Sequence, residues 1–490
     1  MEIELKFQVP PGRRAALRRA VATSSAKVTR LQASYADTPD RRLAAAGFAL
    51  RLRHEGSRWV QTLKGRGDGV AARLEHEVVA PAARGRPTID PARHAGSAAG
   101  ERLTELLADA GELGEVMRTD VRRTHRRVAS GGAVIEIALD EGEIVAGGRR
   151  AAVHEIEFEL VSGPPGALPA LAERWVRRHG LWWDVRTKAE RGQRLADAVE
   201  PVKPTKAAAS PLQADNDTRD AFRAMVLACL AHALPNLAEI ADGGGEPEHL
   251  HQLRVGIRRL RSVLREFAPW SADADGARAL EAAWRDPFAR LGASRDVDAI
   301  GATLLPELTA AGAPPLPGPA DDADESARPA ALVRGAEINA LLLRSLAIAM
   351  PGRDGESATA AEPLVAAAEA PLRRAWRRAL ADVAHFEQAE PAIQHRTRKR
   401  IKRLRYAFEF LLPLYPGKAG KRMQRALADA GEALGLMNDL HIASLAYEAM
   451  LPGEPRAWLA LGWLAAQRRH AVTEAARRLS KLAATKRPWR

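Results

Sequence analysis

Apolar and polar positions alternate with period two through most of the first ~160 residues, as in Glu2 to Val9, Ala49 to Arg53, Trp59 to Lys64, Ala133 to Asp140 and His154 to Val161. Successive side chains of an extended chain point to opposite faces, so these segments predict β-strands. From about residue 168 the period lengthens. Beyond residue 211, Ala, Leu and Arg recur at helical spacing almost to the C-terminus, interrupted by Gly243-Gly244-Gly245 and by Ala313 to Pro319. Between the two regimes, Pro201-Val-Lys-Pro-Thr-Lys-Ala-Ala-Ala-Ser-Pro211 has no apolar period. It predicts a linker at 201–210 between a strand-rich domain at 1–200 and an all-helical domain at 211–490.

The strands carry their charges on one face. Alternation places Glu2, Glu4 and Lys6 opposite Ile3, Leu5 and Phe7. It likewise pairs Arg51 with Arg53, Thr62 with Lys64, Arg73 with Glu75, Glu136 with Asp140, and Glu155 with Glu157 and Glu159. One such strand is ordinarily half-exposed with its charges in water. Five further strands with charges on one face, bases on some and acids on others, change the picture. If they close into a barrel with helices packed outside, the charged face lines the interior. Such a lumen suits a triphosphate, because Arg and Lys neutralise its oxygens while carboxylates hold the bridging divalent metals.

The helical part repeats itself. His251, Arg254, Ile257, Arg258, Arg259, Leu260 and Arg261 return as His395, Arg398, Ile401, Lys402, Arg403, Leu404 and Arg405. Leu291-Gly292-Ala-Ser-Arg295-Asp296 returns as Leu434-Gly435-Leu-Met-Asn438-Asp439. Two similar helical halves related by a pseudo-twofold account for this. On the first helix Arg254, Arg258, Arg261 and Arg265 share a face opposite Leu253, Ile257, Leu260 and Leu264. On the second, Arg398, Lys402 and Arg405 match them, opposite Ile401, Leu404 and Phe408. A single Arg-rich helix face is usually solvated surface. The same uncompensated stripe twice points to an anion, because like charges one turn apart repel by a few tenths of a kcal/mol.

Composition narrows the choice. At 490 residues, 46% hydrophobic and 28% charged, the chain is too long for one ordinary core and too apolar for disorder. A net charge of +13 implies an anionic partner without choosing among nucleic acid, membrane and phosphate polymer. The scarcity of aromatic residues beside the Arg stripes disfavours nucleic acid bound by stacking, so polyphosphate is preferred over RNA. The single cysteine, Cys229, lies in an apolar run and excludes a disulfide framework or Cys-based zinc site. No apolar run follows Met1 and no stretch of about 18 apolar residues stands out, so a cytoplasmic protein without membrane insertion is expected.

The opening Glu2-Ile3-Glu4-Leu5-Lys6 resembles the Glu-x-Glu-x-Lys signature of the CYTH family of triphosphate tunnel metalloenzymes. The resemblance continues in order over roughly residues 1–200. It runs through Tyr35-Ala-Asp37-Thr38-Pro39, Ala49 to Arg53, Gln61 to Gly65, Arg73-Leu-Glu75, Leu139-Asp140-Glu-Gly142, Glu155 to Leu160 and Thr187-Lys188-Ala-Glu190-Arg191-Gly192. It implies an eight-stranded antiparallel β-barrel tunnel with flanking helices, in an α+β chain. It makes Lys6, Arg51, Arg53, Lys64, Arg73, Lys188 and one of Arg122 and Arg123, with Arg123 preferred, the phosphate clamps. Glu2, Glu4, Glu155 and Glu157, with Asp140 nearby, become metal ligands for Mg²⁺ or Mn²⁺. His76 and His125 depart from the family, which often has Trp there. The implied reaction is metal-assisted hydrolysis of inorganic triphosphate to diphosphate and phosphate. No side chain announces itself as a general base.

His-x-x-Arg-Val-x-Ile-Arg-Arg-Leu-Arg at 251–261, Leu-Gly-x-x-Arg-Asp at 291–296 and His-x-x-Arg-x-x-Ile-Lys-Arg-Leu-Arg-Tyr at 395–406 resemble the CHAD domain over about residues 211–490. That resemblance implies two helical bundles binding polyphosphate through His251, Arg254, Arg258, Arg261, Arg265, His395, Arg398, Lys402 and Arg405. The combination resembles bacterial inorganic triphosphatases, with inorganic triphosphate and polyphosphate as partners. The alternative is a noncatalytic polyphosphate-binding scaffold associated with polyphosphate granules.

Overall fold

The computed structural model describes residues 2–67, 71–81, 85–197, 202–299, 305–312, 328–350 and 362–489; the side chains of 66, 72, 73, 293–299 and 305 lie outside the description. Two compact units emerge. The first comprises Met1–Thr205, Leu234–His249 and Val333–Asp354; the second comprises Lys206–Ala233, Leu250–Leu332 and Gly355–Arg490. One boundary, Thr205/Lys206, falls inside the expected linker, but the units are not contiguous in sequence.

The first unit is built on one antiparallel sheet. Its strands are β1 (Glu2–Gln8), β2 (Lys27–Asp37), β3 (Ala49–Glu55), β4 (Arg58–Arg66), β5 (Ala72–Ala80), β6 (Gly114–Ser130), β7 (Ala133–Ala146), β8 (Arg149–Ser162) and β9 (Trp182–Trp183). They run in the order β5-β4-β3-β2-β6-β7-β8-β1-β9. The expectation of a closed eight-stranded barrel is corrected to a nine-stranded sheet, and the reason lies on β1. One edge of β1 pairs with β8 from Glu4↔Glu159 to Gln8↔Glu155. Its other edge is divided: Glu2 and Ile3 pair with Arg73 and Ala72 of β5, whereas Phe7 and Gln8 pair with Trp183 and Trp182 of β9. β5 therefore does not run the length of β1.

The alternation read from the sequence places Leu5, Phe7, Ile156 and Phe158 in a dry layer. Phe7 meets Phe158 edge-on at 5.7 Å and Trp183 at 6.1 Å, and Phe158 meets Trp175 at 5.7 Å on the helix Ala167–His179. Each such ring contributes about 1.5–3 kcal/mol by leaving water. The helix Ala98–Leu107 covers the same apolar face over β3 and β4, where Ala99 and Leu103 join Leu43, Leu50 and Leu63. Gly142 lies opposite Val121 in the β6–β7 ladder, and a Cβ there would meet the Val121 Cα at 2.8 Å.

The helix Lys188–Ala196 begins with a reciprocal cap. Glu190 N–H donates to Thr187 Oγ1 at 3.0 Å, and Thr187 N–H donates to Glu190 Oε2 at 2.6 Å. This capping box fixes Lys188 as the first helical residue, beside β7 and β8.

The second unit is helical. Its principal elements are the larger part of Thr218–Asp242 and of Pro247–Glu266, then Ala274–Ala283, Arg285–Ala299, Glu369–Leu380, Pro391–Leu411, Lys418–Met450 and Ala457–Ala483. Leu253, Ile257, Leu260, Leu264, Ile401, Leu404 and Phe408 are all buried, as their helical spacing predicts. Thr218–Asp242 contains an 18-residue window of mean hydropathy 1.5, apolar and long enough to cross a membrane, which corrects the expectation that no such stretch exists. Two-thirds of that window is buried inside the fold, the ordinary condition of a core helix. Cys229, on this helix, is buried as expected.

Candidate functional site

The charged face of the sheet gathers two groups of side chains. In the first, β6, β7 and β8 lie side by side, with Arg123 opposite Asp140 and Asp140 opposite Glu155. Carboxylate oxygens of Asp140, Glu155 and Glu157 lie within 4.8 Å of one another. Arg123 forks onto Asp140, its Nε to Oδ1 and Nη2 to Oδ2 at 2.7 Å each, and also reaches Glu157. The Lys188 ammonium sits 2.8 Å from Asp140 and 2.8 Å from Glu157 and also pairs with Glu155. Arg191 meets Glu155 at 3.0 Å.

Burial alone favours the neutral carboxylic acids, but Lys188 and Arg123 outweigh it for Glu157 and hold that carboxyl well below its ordinary range. Asp140 is lowered too, burial opposing Arg123 and Lys188. Conversely, burial opposes the Lys188 charge, yet Asp140, Glu155 and Glu157 keep the ammonium protonated well above its usual range.

The second group lies along β1, β3, β4 and β5. Lys64 bridges Glu2 and Glu75 at 3.0 Å each. Arg51 approaches Glu75 at 3.7 Å and Glu77 at 3.6 Å, while Arg53 meets Glu77 at 3.3 Å and pairs with Glu55. Here acids crowd acids. Burial, helped by the hydrogen bond with Glu75, raises Glu2 to about 7. Burial, with Glu2, Glu136 and Glu4 facing it, raises Glu159 to about 7. Glu4 acts electrostatically on both groups, supporting the charges of Arg123 and Lys64.

The structure therefore brings together Glu2, Glu4, Arg51, Arg53, Lys64, Arg123, Asp140, Glu155, Glu157 and Lys188. Of the Arg pair, Arg123 faces the acids with its side chain 20% exposed, while Arg122 is 56% exposed and lies 3.9 Å from Glu141. Lys6 is buried on the same strand face but gives a hydrogen bond to the Arg186 carbonyl. The side chain of Arg73 is outside the described residues. Glu55, Glu77, Asp184 and Arg186 were not singled out from the sequence. Glu55 and Glu77 extend alternations already visible in β3 and β5, whereas Asp184 and Arg186 lie outside any periodic segment. His76 pairs ring to ring with the buried His94, Nδ1 to Nδ1 at 2.9 Å, and His125 lies 3.3 Å from Glu136.

In the helical unit, Arg254, Arg258, Arg261 and Arg265 stand on Pro247–Glu266, and Arg398, Lys402 and Arg405 on Pro391–Leu411. The two stripes converge. Arg258 Nε donates to Tyr406 Oη at 2.9 Å, and the Arg258, Arg398 and Arg405 charges surround Lys402. Burial first, then these cations, push the Lys402 ammonium down to about 6 despite Asp439. His251 and His395 are half-buried on the same two helices. The expectation of an uncompensated stripe is corrected in part: Glu281 accepts from Arg261 at 2.7 Å and lies 3.9 Å from Arg265, and Glu409 lies 3.4 Å from Arg405. Arg254 and Arg261 both stand 5.3 Å from the Phe288 ring centre.

A sheet that gathers paired acids and bases on one face, followed by a helical unit with a convergent cationic patch, defines an α+β class of protein. Residues 1–192 match the CYTH domain family and residues 224–448 match the CHAD domain family, so this chain joins a CYTH domain to a CHAD domain. An inorganic triphosphatase of Haemophilus influenzae is 30% identical over 165 residues, covering 33% of this chain and 45% of that protein. This chain thus spans less than half the length of that relative. A CHAD domain from the plant Ricinus communis aligns at 28% identity with a TM-score of 0.46, over 58% of this chain and 98% of its own. A Hippeastrum protein described as an adenylyl cyclase with dominant triphosphatase activity aligns at 22% identity with a TM-score of 0.30, over 38% of this chain and 91% of its own.

Proposed function

We propose that the CYTH domain hydrolyses inorganic triphosphate to diphosphate and phosphate in a tunnel lined by the charged face of the sheet, and that the CHAD domain binds polyphosphate. The observation that carries this reading is the cluster of Asp140, Glu155 and Glu157 with oxygens within 4.8 Å, flanked by Arg123, Lys188 and Arg191. Carboxylates alone are hard oxygen donors, and a set of three, two buried and Glu157 partly so, fits a divalent ion of the Mg²⁺ or Mn²⁺ kind. Glu155 Oε1 is buried and meets the Lys188 ammonium without a well-directed hydrogen bond, which leaves it disposed to ligate. With Glu2 and Glu4 these residues would hold the ion, which when bound supplies charge neutralisation on the phosphate and a water of lowered pKa.

The chain's own cations do the rest. In this reading Arg51, Arg53, Lys64, Arg123 and Lys188 exchange carboxylate partners for phosphate oxygens and the Lys6 ammonium joins them, orienting the terminal phosphoryl group and offsetting charge as it builds. Arg73 is assigned to the same set from the motif. In the helical domain His251, Arg254, Arg258, Arg261, Arg265, His395, Arg398, Lys402 and Arg405 form the polyphosphate site, two similar halves supplying one stripe each. Holding the polymer there raises the local concentration of substrate ends. The tunnel domain is assigned to 1–200 and the polyphosphate-binding domain to 211–490, in a cytoplasmic protein that can associate with polyphosphate granules. Phosphate release from tripolyphosphate, ATP and thiamine triphosphate, with Mg²⁺, Mn²⁺ or EDTA, tests the reading. Rapid metal-dependent release from tripolyphosphate supports it; no release from any of the three refutes it.

A further inference from the structure

Lys6 is held at both ends by the segment after β9. Its carbonyl accepts from Asp184 N–H at 3.0 Å, and its ammonium donates to the Arg186 carbonyl. An ammonium has three donors in freely rotating geometry, so the acceptor that fixes one donor fixes where the others point. The position of the Arg186 carbonyl is therefore the position of Lys6.

That carbonyl belongs to a residue clamped from several sides. Arg186 is 7% exposed and forks onto Asp184, with Nε to Oδ1 and Nη2 to Oδ2 at 2.9 Å each, while its own N–H donates to the same Oδ1 at 2.9 Å. Its remaining arm, Nη1, donates to Asp242 Oδ2 at 2.9 Å and lies 3.8 Å from Glu239. Glu239 is held in turn by Arg194 at 2.6 Å. Asp184 also accepts from Gln8 Nε2 at 3.0 Å, and the same amide reaches Glu155 at 3.5 Å. Helix-side and sheet-side contacts thus meet at one guanidinium: Asp242 and Glu239 stand at the end of Thr218–Asp242, inside the stretch that matches the CHAD family, yet within the same compact unit as the sheet.

We propose that Arg186, braced by Asp242, is a positioning residue that aims the Lys6 ammonium at the phosphate site, so that the CHAD sequence supplies part of the support of the CYTH site. This rests on the triphosphatase reading. Arg186 touches no substrate; it acts through its carbonyl. Neutralising Asp242 frees one arm of the guanidinium while the fork onto Asp184 stays. Replacing Arg186 removes the whole brace.

The test is steady-state tripolyphosphate hydrolysis by the full chain carrying Arg186→Met, Arg186→Lys or Asp242→Asn, each alone and combined with Lys6→Ala. Arg186→Met is expected to raise KM about tenfold, with kcat changed about twofold or less, and Arg186→Lys and Asp242→Asn about threefold. In the Lys6→Ala background each is expected to add less than about twofold, because residues acting through one another are not additive. Asp242 has its side chain 68% exposed, so Asp242→Asn keeps the fold, and its melting temperature checks this independently. The same KM increase in both backgrounds, or no increase from either Arg186→Met or Asp242→Asn, overturns the positioning role while the triphosphatase reading stands. A wild-type protein without turnover overturns both.

Discussion

Arg123 and Asp140 lie directly opposite each other on β6 and β7, and both guanidinium-to-carboxylate bonds of their fork are 2.7 Å long. The carboxylate is 1% exposed. Desolvating such a pair is costly, and removing one partner strands the other. Asp140→Ala takes the fork from Arg123, keeps its pairing with Glu157, and is expected to lower unfolding stability by about 3 kcal/mol. Denaturant titration of the metal-free protein measures this; a loss below about 1 kcal/mol would show the pair is dispensable.

The Lys188 ammonium sits among Asp140, Glu155 and Glu157, where a divalent ion would also bind. Lys188→Met removes a competing cation and also a phosphate clamp. Its Mn²⁺ affinity without substrate is expected to rise about tenfold while kcat falls about a hundredfold, read by calorimetry and phosphate release. Weaker Mn²⁺ binding in the variant would place the ion elsewhere.

How much of this was legible in the chain depends on whether the signal was periodic. Glu2-Ile3-Glu4-Leu5-Lys6-Phe7 announces its two faces, and the structure buries Leu5 and Phe7 as the alternation requires. The choice between Arg122 and Arg123 was not legible. Adjacent residues always take opposite faces, and the register against Asp140 decides which one meets the acids. The capping box at Thr187 and Glu190 was present in the sequence, but its effect, aiming Lys188 at β7 and β8, needs the packing of a helix on a sheet. Glu281 compensates Arg261 from another helix, which no stripe on one helix discloses. The inclusion of Leu234–His249 in the sheet's unit was also illegible, because an apolar helix face does not name its partner.

His94 is fully buried, and burial first, then the charges of His76 and Arg93, lower its pKa from 6.5 to about 4. A depressed histidine stays neutral in the fold and charges in the unfolded chain. Its stability contribution is therefore complete above pH 6.5 and is lost as pH falls from 6.5 towards 4, by up to about 3 kcal/mol. His94→Gln is expected to flatten this part of the stability profile. Identical pH slopes for variant and wild type would refute the assignment.

Lys402 titrates near 6 in the absence of an anion because burial and the charges of Arg258 and Arg398 oppose its protonation. A bound phosphate reverses that balance, so polyphosphate binding at pH 7.5 is expected to take up about one proton, and affinity to fall as pH rises from 6 to 8. Calorimetry in buffers of different ionisation enthalpy measures the uptake. Lys402→Met is expected to abolish it, and uptake persisting in that variant would contradict the account.

The most direct test of the central claim is the turnover of tripolyphosphate by the full chain and by Glu157→Gln, each with Mg²⁺ and with EDTA, alongside polyphosphate binding by both proteins. Metal-dependent turnover in the wild type, reduced at least about a hundredfold in Glu157→Gln with polyphosphate binding unchanged, is the predicted result. Equal turnover in the two proteins, or none in either while polyphosphate still binds, would contradict it and leave a noncatalytic scaffold.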